Sequence, residues 1–592
     1  MLRRLGIAVL ATGLGAAAAL AWLVHAPGPD PTPRIFTART IRTLEPERPE
    51  ATAVAVADGR IVAVGSLAEV RAAVGAGFAL DERFADKVIL PGFIDPHLHP
   101  SLGATILTME IVSAMEWTTP TGRTRAVRGR DAFLGRLGEL DRERGERGDP
   151  DGWLLVWGYH APYHGALSRR DLDAVSRERP ILVWHRSVHE MYLNTKALET
   201  LRLTEADFTA SDQADQADWE TGHIWEGAMF TLGRRATRIL ASPRSYRRGL
   251  ARLSAVIHRG GLTTVAEQGF PQLTELGEWL MLQLEMRKGV PYRFVLVPNA
   301  MYLARHHGGA GGAVGAARRL LRLSTERVPV VKHAKYYADG AIFSQLMQMS
   351  EPYDDGHHGE WMMAPEEQAR VLDAFWRDGW SIHVHVNGDA GLDRVLDQVE
   401  AEQRAHPAPE QRVVLEHYGF ARHDQHARVA RLGAAVSNNA YYLYELAPVY
   451  AEHGLGPERA ANISPLGALA RAGVRISFHS DFPMAPAEPL RLAWVAVNRV
   501  ASDGRVWGDG HVWGVDQRLP LDLALRAITV EAAWSLGLED EIGSIRPGKR
   551  ADFTVLERDP YEIDPMELAD LPIWGTVFEG HPYPIEARSY NE

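Results

Sequence analysis

The chain has 592 residues, 46% of them hydrophobic, a formal charge of −12 and no cysteine. This length suits a large barrel plus a smaller domain, and the hydrophobic share is that of a globular protein. The negative charge gives no general attraction to nucleic acid. The missing cysteines exclude disulfides, thiolate metal sites, a cysteine nucleophile and an acylated lipoprotein anchor, so any metal must be held by nitrogen and oxygen.

The first element in chain order reads as a targeting segment. Arg3 and Arg4 precede an uncharged run over residues 5–24, long enough to cross a bilayer as a helix, with the arginines on the cytoplasmic side. A cleavable signal is the alternative, with Val24-His25-Ala26 as the cleavage site, and the length of the run favours an uncleaved anchor. The proline-rich stretch 27–33 follows as a stiff spacer. Residues 1–33 are therefore expected to hold the protein at the cell envelope, membrane-anchored and facing the periplasm, or to be removed on secretion.

Residues 34–87 read as short strands. Ala53-Val-Ala-Val-Ala57, a turn at Asp58-Gly59 and Arg60-Ile-Val-Ala-Val64 form a hairpin signature. A matching β-like block ends the chain, where Gly543-Ser-Ile-Arg-Pro-Gly-Lys-Arg-Ala-Asp-Phe-Thr-Val-Leu556 carries a Pro-Gly turn. Segments 34–87 and 540–592 are expected to pair into one small β-sandwich domain.

Between them, over 88–539, apolar strand-like runs alternate with helical stretches, the pattern of a parallel α/β fold. The candidate strands are 88–95, 262–267, 292–297, 330–337, 380–386, 412–417, 434–438 and 474–481. Eight strands with helices between them predict a closed (β/α)₈ TIM-type barrel. Residues 100–260 are too long for a loop and would leave the active-site end of the first strand, as a lid or pocket-forming insertion.

The residues that carry chemistry sit at the predicted strand ends. His97 and His99 close the first run; residues i and i+2 of a strand share a face, so both imidazoles can reach one cation. His383 and His385 share a face of the fifth strand, and His385, next to the turn Asn387-Gly388-Asp389, is the better ligand candidate. The sixth strand ends on His417. The eighth delivers Asp481, whose carboxylate can bind a metal and accept a proton from the water it activates. His479, of the same parity, can line the pocket. Lys335 lies near the end of the fourth strand. A buried ammonium is costly unless paired or modified, and a lysine carbamate formed with CO₂ can bridge two metals. The plainer alternatives are strand-end histidines, an Asx-turn at Asp481 and an ion-paired lysine.

The ordered set Pro91-Gly-Phe-Ile-Asp-Pro-His-Leu-His99, Lys335-Tyr-Tyr-Ala-Asp-Gly340, His385-Val-Asn-Gly-Asp389, Glu416-His417 and Ser480-Asp-Phe-Pro483 resembles the amidohydrolase superfamily. It looks most like the family-3 branch that includes N-substituted formamide deformylases. The resemblance implies that His97, His99 and Asp481 hold one metal, that His385 and His417 hold a second, and that carboxylated Lys335 bridges them, with Asp481 also acting as general base. Neighbours offer alternatives: Lys332 and His333 beside Lys335, His383 beside His385, and Glu267, which could replace the lysine as the acidic ligand.

The expected activity is hydrolysis of a non-peptide C–N bond in a small amide or formamide-like substrate through metal-activated water. Zinc suits the histidine and carboxylate set, one ion or two, with manganese and iron open. His160, Trp184, His189 and Tyr441 are the candidate substrate-binding residues. A deaminase, cyclic amidase or lactonase on the same barrel is the alternative, as is an inactive membrane-tethered binding protein. A homo-oligomer is open, and no nucleic-acid partner is expected.

Overall fold

The computed structural model describes Val24 and residues 33–585, apart from 150–151, 210–215, 226–227, 230–233, 241, 273 and 511–514. At its centre lie eight parallel strands in two arcs. One arc joins Phe93–Leu98, Leu262–Phe270 and Arg293–Pro298. The other joins His333–Tyr337, Ser381–Val386, Val413–His417, Ala435–Asn438 and Ile476–Phe478. Parallel bridges Leu296 to Val330 and Asn299 to Lys335 connect the arcs on one side. On the other side Asp481 N donates to His97 O at 2.8 Å and His99 N to Phe482 O at 3.1 Å, so the ring closes. The strands are buried along almost their whole length, as parallel strands covered by helices must be.

The expected first strand, 88–95, divides between two sheets. Residues up to Pro91 belong to the long strand Ala79–Pro91, which pairs with Phe553–Leu556, and the barrel strand starts at Phe93. Gly92 makes the change of sheet. Its N–H donates to Asp552 O at 2.9 Å, and a Cβ there would meet Thr263 Oγ1 at 2.1 Å. Both halves are buried, so the apolar run continues across the break. The eighth strand is also shorter than expected, because the chain leaves the ladder after Phe478.

The chain ends build a seven-stranded mixed sheet, in the order His581–Pro584, Ile573–Phe578, Phe553–Leu556, Ala79–Pro91, Arg34–Arg42, Glu50–Ala57 and Arg60–Gly65. The hairpin between its last two strands turns at Asp58 and Gly59, with φ of 50° and 71°, the left-handed pair that suits a two-residue connection.

Residues 100–260 carry a six-stranded sheet that includes Leu154–Tyr159, Ile181–His185 and Glu190–Leu193. A buried ion pair ties it to the barrel. Arg186, directly after Ile181–His185, is 0% exposed and meets Glu445, 1% exposed, on helix Tyr441–Glu452 through Nε at 3.1 Å and Nη2 at 2.8 Å. The guanidinium also donates to the carbonyls of Pro483 and Met484 and lies over the rings of Trp117, Trp157 and Phe343. The insertion is thereby docked on the loop that follows Asp481.

The membrane reading is corrected. Among the described residues no helix is long and apolar enough to cross a membrane, and the run 5–24, on which the anchor, signal and periplasmic expectations rested, lies outside the described residues except for Val24.

Removing one partner of a buried pair leaves an uncompensated charge, whereas removing both can be near neutral. Glu445→Leu is expected to destabilise the protein by about 3–5 kcal/mol, seen as a lower urea midpoint. The double variant Arg186→Met with Glu445→Leu should recover most of that loss.

Candidate metal centre

Six barrel strands send polar side chains to one mouth, most of them from the C-terminal end or just beyond it, with Lys335 and Glu267 set within their strands. His97 Nε2 and His99 Nε2 lie 3.4 and 3.2 Å from the same oxygen, Asp481 Oδ1. The opposite nitrogen of each ring rests on a carboxylate: His97 Nδ1 on Glu416 Oε2 at 2.8 Å, and His99 Nδ1 on Glu267 Oε1 at 2.7 Å. Lys335 Nζ is 3.5 Å from His97 Nε2. His417 Nδ1 is 3.1 Å from Tyr442 Oη, 3.2 Å from His479 Nε2 and 3.6 Å from Asp481 Oδ2, while its Nε2 is buried without a partner. The His385 ring is 4.3 Å from that of His417, and its Nε2 accepts from Asn387 Nδ2 at 3.0 Å.

Backbone geometry explains how neighbouring residues reach one centre. Strand alternation would send Glu416 and His417 to opposite faces, yet both turn inward. His417 and Tyr418 adopt positive φ, 75° and 52°, and Asp481 does so at 53°. Each such residue costs on the order of 1–3 kcal/mol and persists where the surroundings over-determine it. Asp95 anchors the turn before Asp481: its carboxylate accepts from Ser480 N at 3.1 Å and from the Ser480 hydroxyl.

The electrostatics suit a cation. Burial, then Lys335 and the neighbouring imidazoles, hold His97 and His385 well below the usual histidine range. Burial, then His385 and Lys335, do the same for His417. The neutral imidazole is the form that binds metal. Burial brings Lys335 down to about 8, against the pull of Glu416, Asp481 and Glu267, and pushes Asp95 up to about 7. Burial lowers the His99 pKa, but Glu267 and Asp481 overcome it and raise it to about 10. The proton held there marks where positive charge is favoured. Formally, the three carboxylates Glu267, Glu416 and Asp481 outnumber the ammonium of Lys335 and the imidazolium of His99 by one, and by two once His99 gives up its proton to bind metal. Uncompensated charge in a buried site is costly, so a divalent cation fits the set. The unpartnered His417 Nε2 fits it as well.

At the mouth, two groups of ligand atoms lie within 4.8 Å of one another: His97, His99 and Asp481, and His97, His417 and His479. The first is the group that the family resemblance implied. In the second, His479 stands where His385 was expected, and Lys335 belongs to neither. His333 and His383 lie deeper, joined to each other at 3.0 Å rather than facing the mouth. Glu416 was given no role from the sequence; its signal was a lone acid one residue before the end of an apolar strand.

The pocket candidates separate. His160 is buried, with Nε2 on Phe343 O at 3.1 Å and Nδ1 unpartnered. The charge of His189 contributes, after burial and Lys335, to lowering the His385 pKa, which places it beside the centre. Trp184 Nε1 donates to Val188 O at 3.0 Å. The Tyr441 ring packs on Tyr444 at 5.0 Å, in a crevice with Glu488 and Arg491, and the next residue, Tyr442, reaches His417.

A closed parallel barrel with histidines and carboxylates converging at its C-terminal mouth defines a metal-dependent hydrolase. The chain belongs to the amidohydrolase family, whose profile matches residues 85–583. It is 25% identical to the N-substituted formamide deformylase of Arthrobacter pascens, over 91% of this chain and 96% of the relative. It is also 25% identical to Protein LONG AFTER FAR-RED 3 of Arabidopsis thaliana, over 89% and 88%. Its fold matches the crystal structure of an uncharacterised metal-dependent hydrolase from Pyrococcus horikoshii OT3 with a TM-score of 0.66 at 20% identity, covering 90% of this chain and 99% of that one.

A ligand that binds only the folded state stabilises it by about 4 kcal/mol at a thousandfold excess over Kd. Chelation should therefore lower the melting temperature, and added zinc should restore it. His99→Ala should lose most of that metal-dependent shift in a thermal denaturation series.

Proposed function

We propose that the protein hydrolyses the C–N bond of a small non-peptide amide of the formamide type, with Asp481 as general base and with His97, His99 and Asp481 as the principal metal ligands. The observation that carries this reading is the meeting of His97 Nε2 and His99 Nε2 at Asp481 Oδ1. The similarity to the Arthrobacter pascens deformylase supports the bond type. Zinc suits the nitrogen and oxygen donors. A bound divalent cation lowers the pKa of water toward neutrality and polarises a carbonyl.

The chain's residues do the rest. Asp481, at the lip of the mouth, accepts the proton of the attacking water and returns it to the departing nitrogen. His417 and His479, grouped with His97, would hold a second cation, and His385, its ring 4.3 Å from that of His417, would stand beside them. Lys335, with its pKa near 8, has a neutral amine within reach at ordinary pH, the form that adds CO₂. A carbamate there would bring a further negative charge and support a second ion. His160 and His189, carried by the insertion, face the substrate and select it, with Trp184 as the apolar wall.

Incubation with a panel of N-formyl and N-acyl amines, read by mass spectrometry, should yield amine and carboxylate in equal amounts. Asp481→Asn is expected to lower kcat/KM about 10²–10⁴-fold with the fold intact, and His97→Ala to abolish turnover. Wild-type turnover in either variant sinks the mechanism. Lys335→Ala should lose activity that short carboxylic acids partly restore, and unchanged activity there would assign a one-metal site without a bridge.

A further inference from the structure

Glu416 is 0% exposed and lies beneath the ligand set. Its Oε2 meets His97 Nδ1 at 2.8 Å and His479 Nδ1 at 3.4 Å, and its Oε1 meets His383 Nδ1 at 2.6 Å. His383 Nε2 in turn meets His333 Nδ1 at 3.0 Å. These residues come from the fourth, fifth, sixth and first strands, with His479 beyond the eighth. Together they form one hydrogen-bonded chain from the barrel interior to the mouth.

The chemistry of the partners gives the chain a direction. A carboxylate only accepts, so His97 Nδ1 and His383 Nδ1 must donate to it. With Nδ1–H turned to Glu416, His383 meets His333 Nδ1 through its other nitrogen, Nε2. At the upper end His97 is left with its lone pair on Nε2, the nitrogen that faces Asp481. We infer that Glu416 is a positioning residue for the metal: it locks His97 in the tautomer that presents Nε2 to the cation, and His383 and His333 lock Glu416 in turn. Partners of this kind on a ligating imidazole fix its tautomer and ring orientation. This rests on the metal-centre reading above and goes beyond it, because Glu416 belongs to neither ligand group at the mouth.

The test is zinc affinity of the metal-free protein, measured by competition with a chromophoric chelator, alongside thermal unfolding of the chelated forms. Glu416→Gln keeps size and shape but offers one acceptor and one amino group to two donating Nδ1–H groups. One ring must then change tautomer or lose its partner. The expected result is a chelated Glu416→Gln variant that melts near chelated wild type and binds zinc 10–100-fold more weakly. Glu416→Asp keeps the acceptor-only character and should lose clearly less. Wild-type affinity in the glutamine variant, or an equal loss in both variants, overturns the inference. If the glutamine variant does not fold, the aspartate variant decides: a loss under about tenfold supports the lock, and no loss or a larger one overturns it. A wild-type protein that binds zinc but turns over no amide would remove the proposed reaction and leave this inference standing.

Discussion

Everything at the mouth of this barrel depends on the need to compensate charge in a buried, low-dielectric place. Glu267, Glu416 and Asp481 are 1%, 0% and 6% exposed and are answered by the ammonium of Lys335 and the imidazole of His99. Burial of ionised groups is tolerated only when they are paired and hydrogen-bonded. His97 and His99 do that here, each spending one nitrogen on a carboxylate and keeping the other for the centre. The result is a set of lone pairs and negative oxygens aimed at one small volume, which is what a divalent cation requires.

The fold supplies the precision. Parallel strands end together at one rim, so residues hundreds of positions apart, such as His97 and Asp481, come within 3.4 Å. The rim is then refined by departures from regular structure. Positive φ at His417 and Asp481 turns side chains that a regular strand would send elsewhere. The insertion is fixed to the loop after Asp481 through Arg186, whose donors end on Glu445, Pro483 and Met484. The residues that would choose the substrate are thereby coupled to those that would carry out the chemistry.

Much of this was legible because local rules sufficed. The apolar runs located the barrel strands, and the Asp58-Gly59 hairpin followed from turn chemistry alone. The His97 and His99 pair was readable from parity at a strand end. Elsewhere the local rules had no purchase. The run across Gly92 is apolar on both sides, because both sheets bury it, so nothing in it marks where one sheet ends. Tyr441 and Tyr442 are adjacent aromatics at a helix start, and only packing decides which one faces His417. His385 reads as the ligand and His479 as pocket lining; only the closeness to His97 puts His479 in the ligand group.

By itself, the order of residues determined the strand-helix alternation, the exclusion of sulfur ligands and the donor types available at the rim, since these follow from composition and short-range periodicity. The tertiary structure alone decided the role open to Glu416. Its partners His97, His383 and His479 are 319, 33 and 63 positions away, and its inward turn is set by closure of the ring rather than by its neighbours in the chain. Hydrogen bonds between strands depend on how the barrel closes, and no local pattern encodes that.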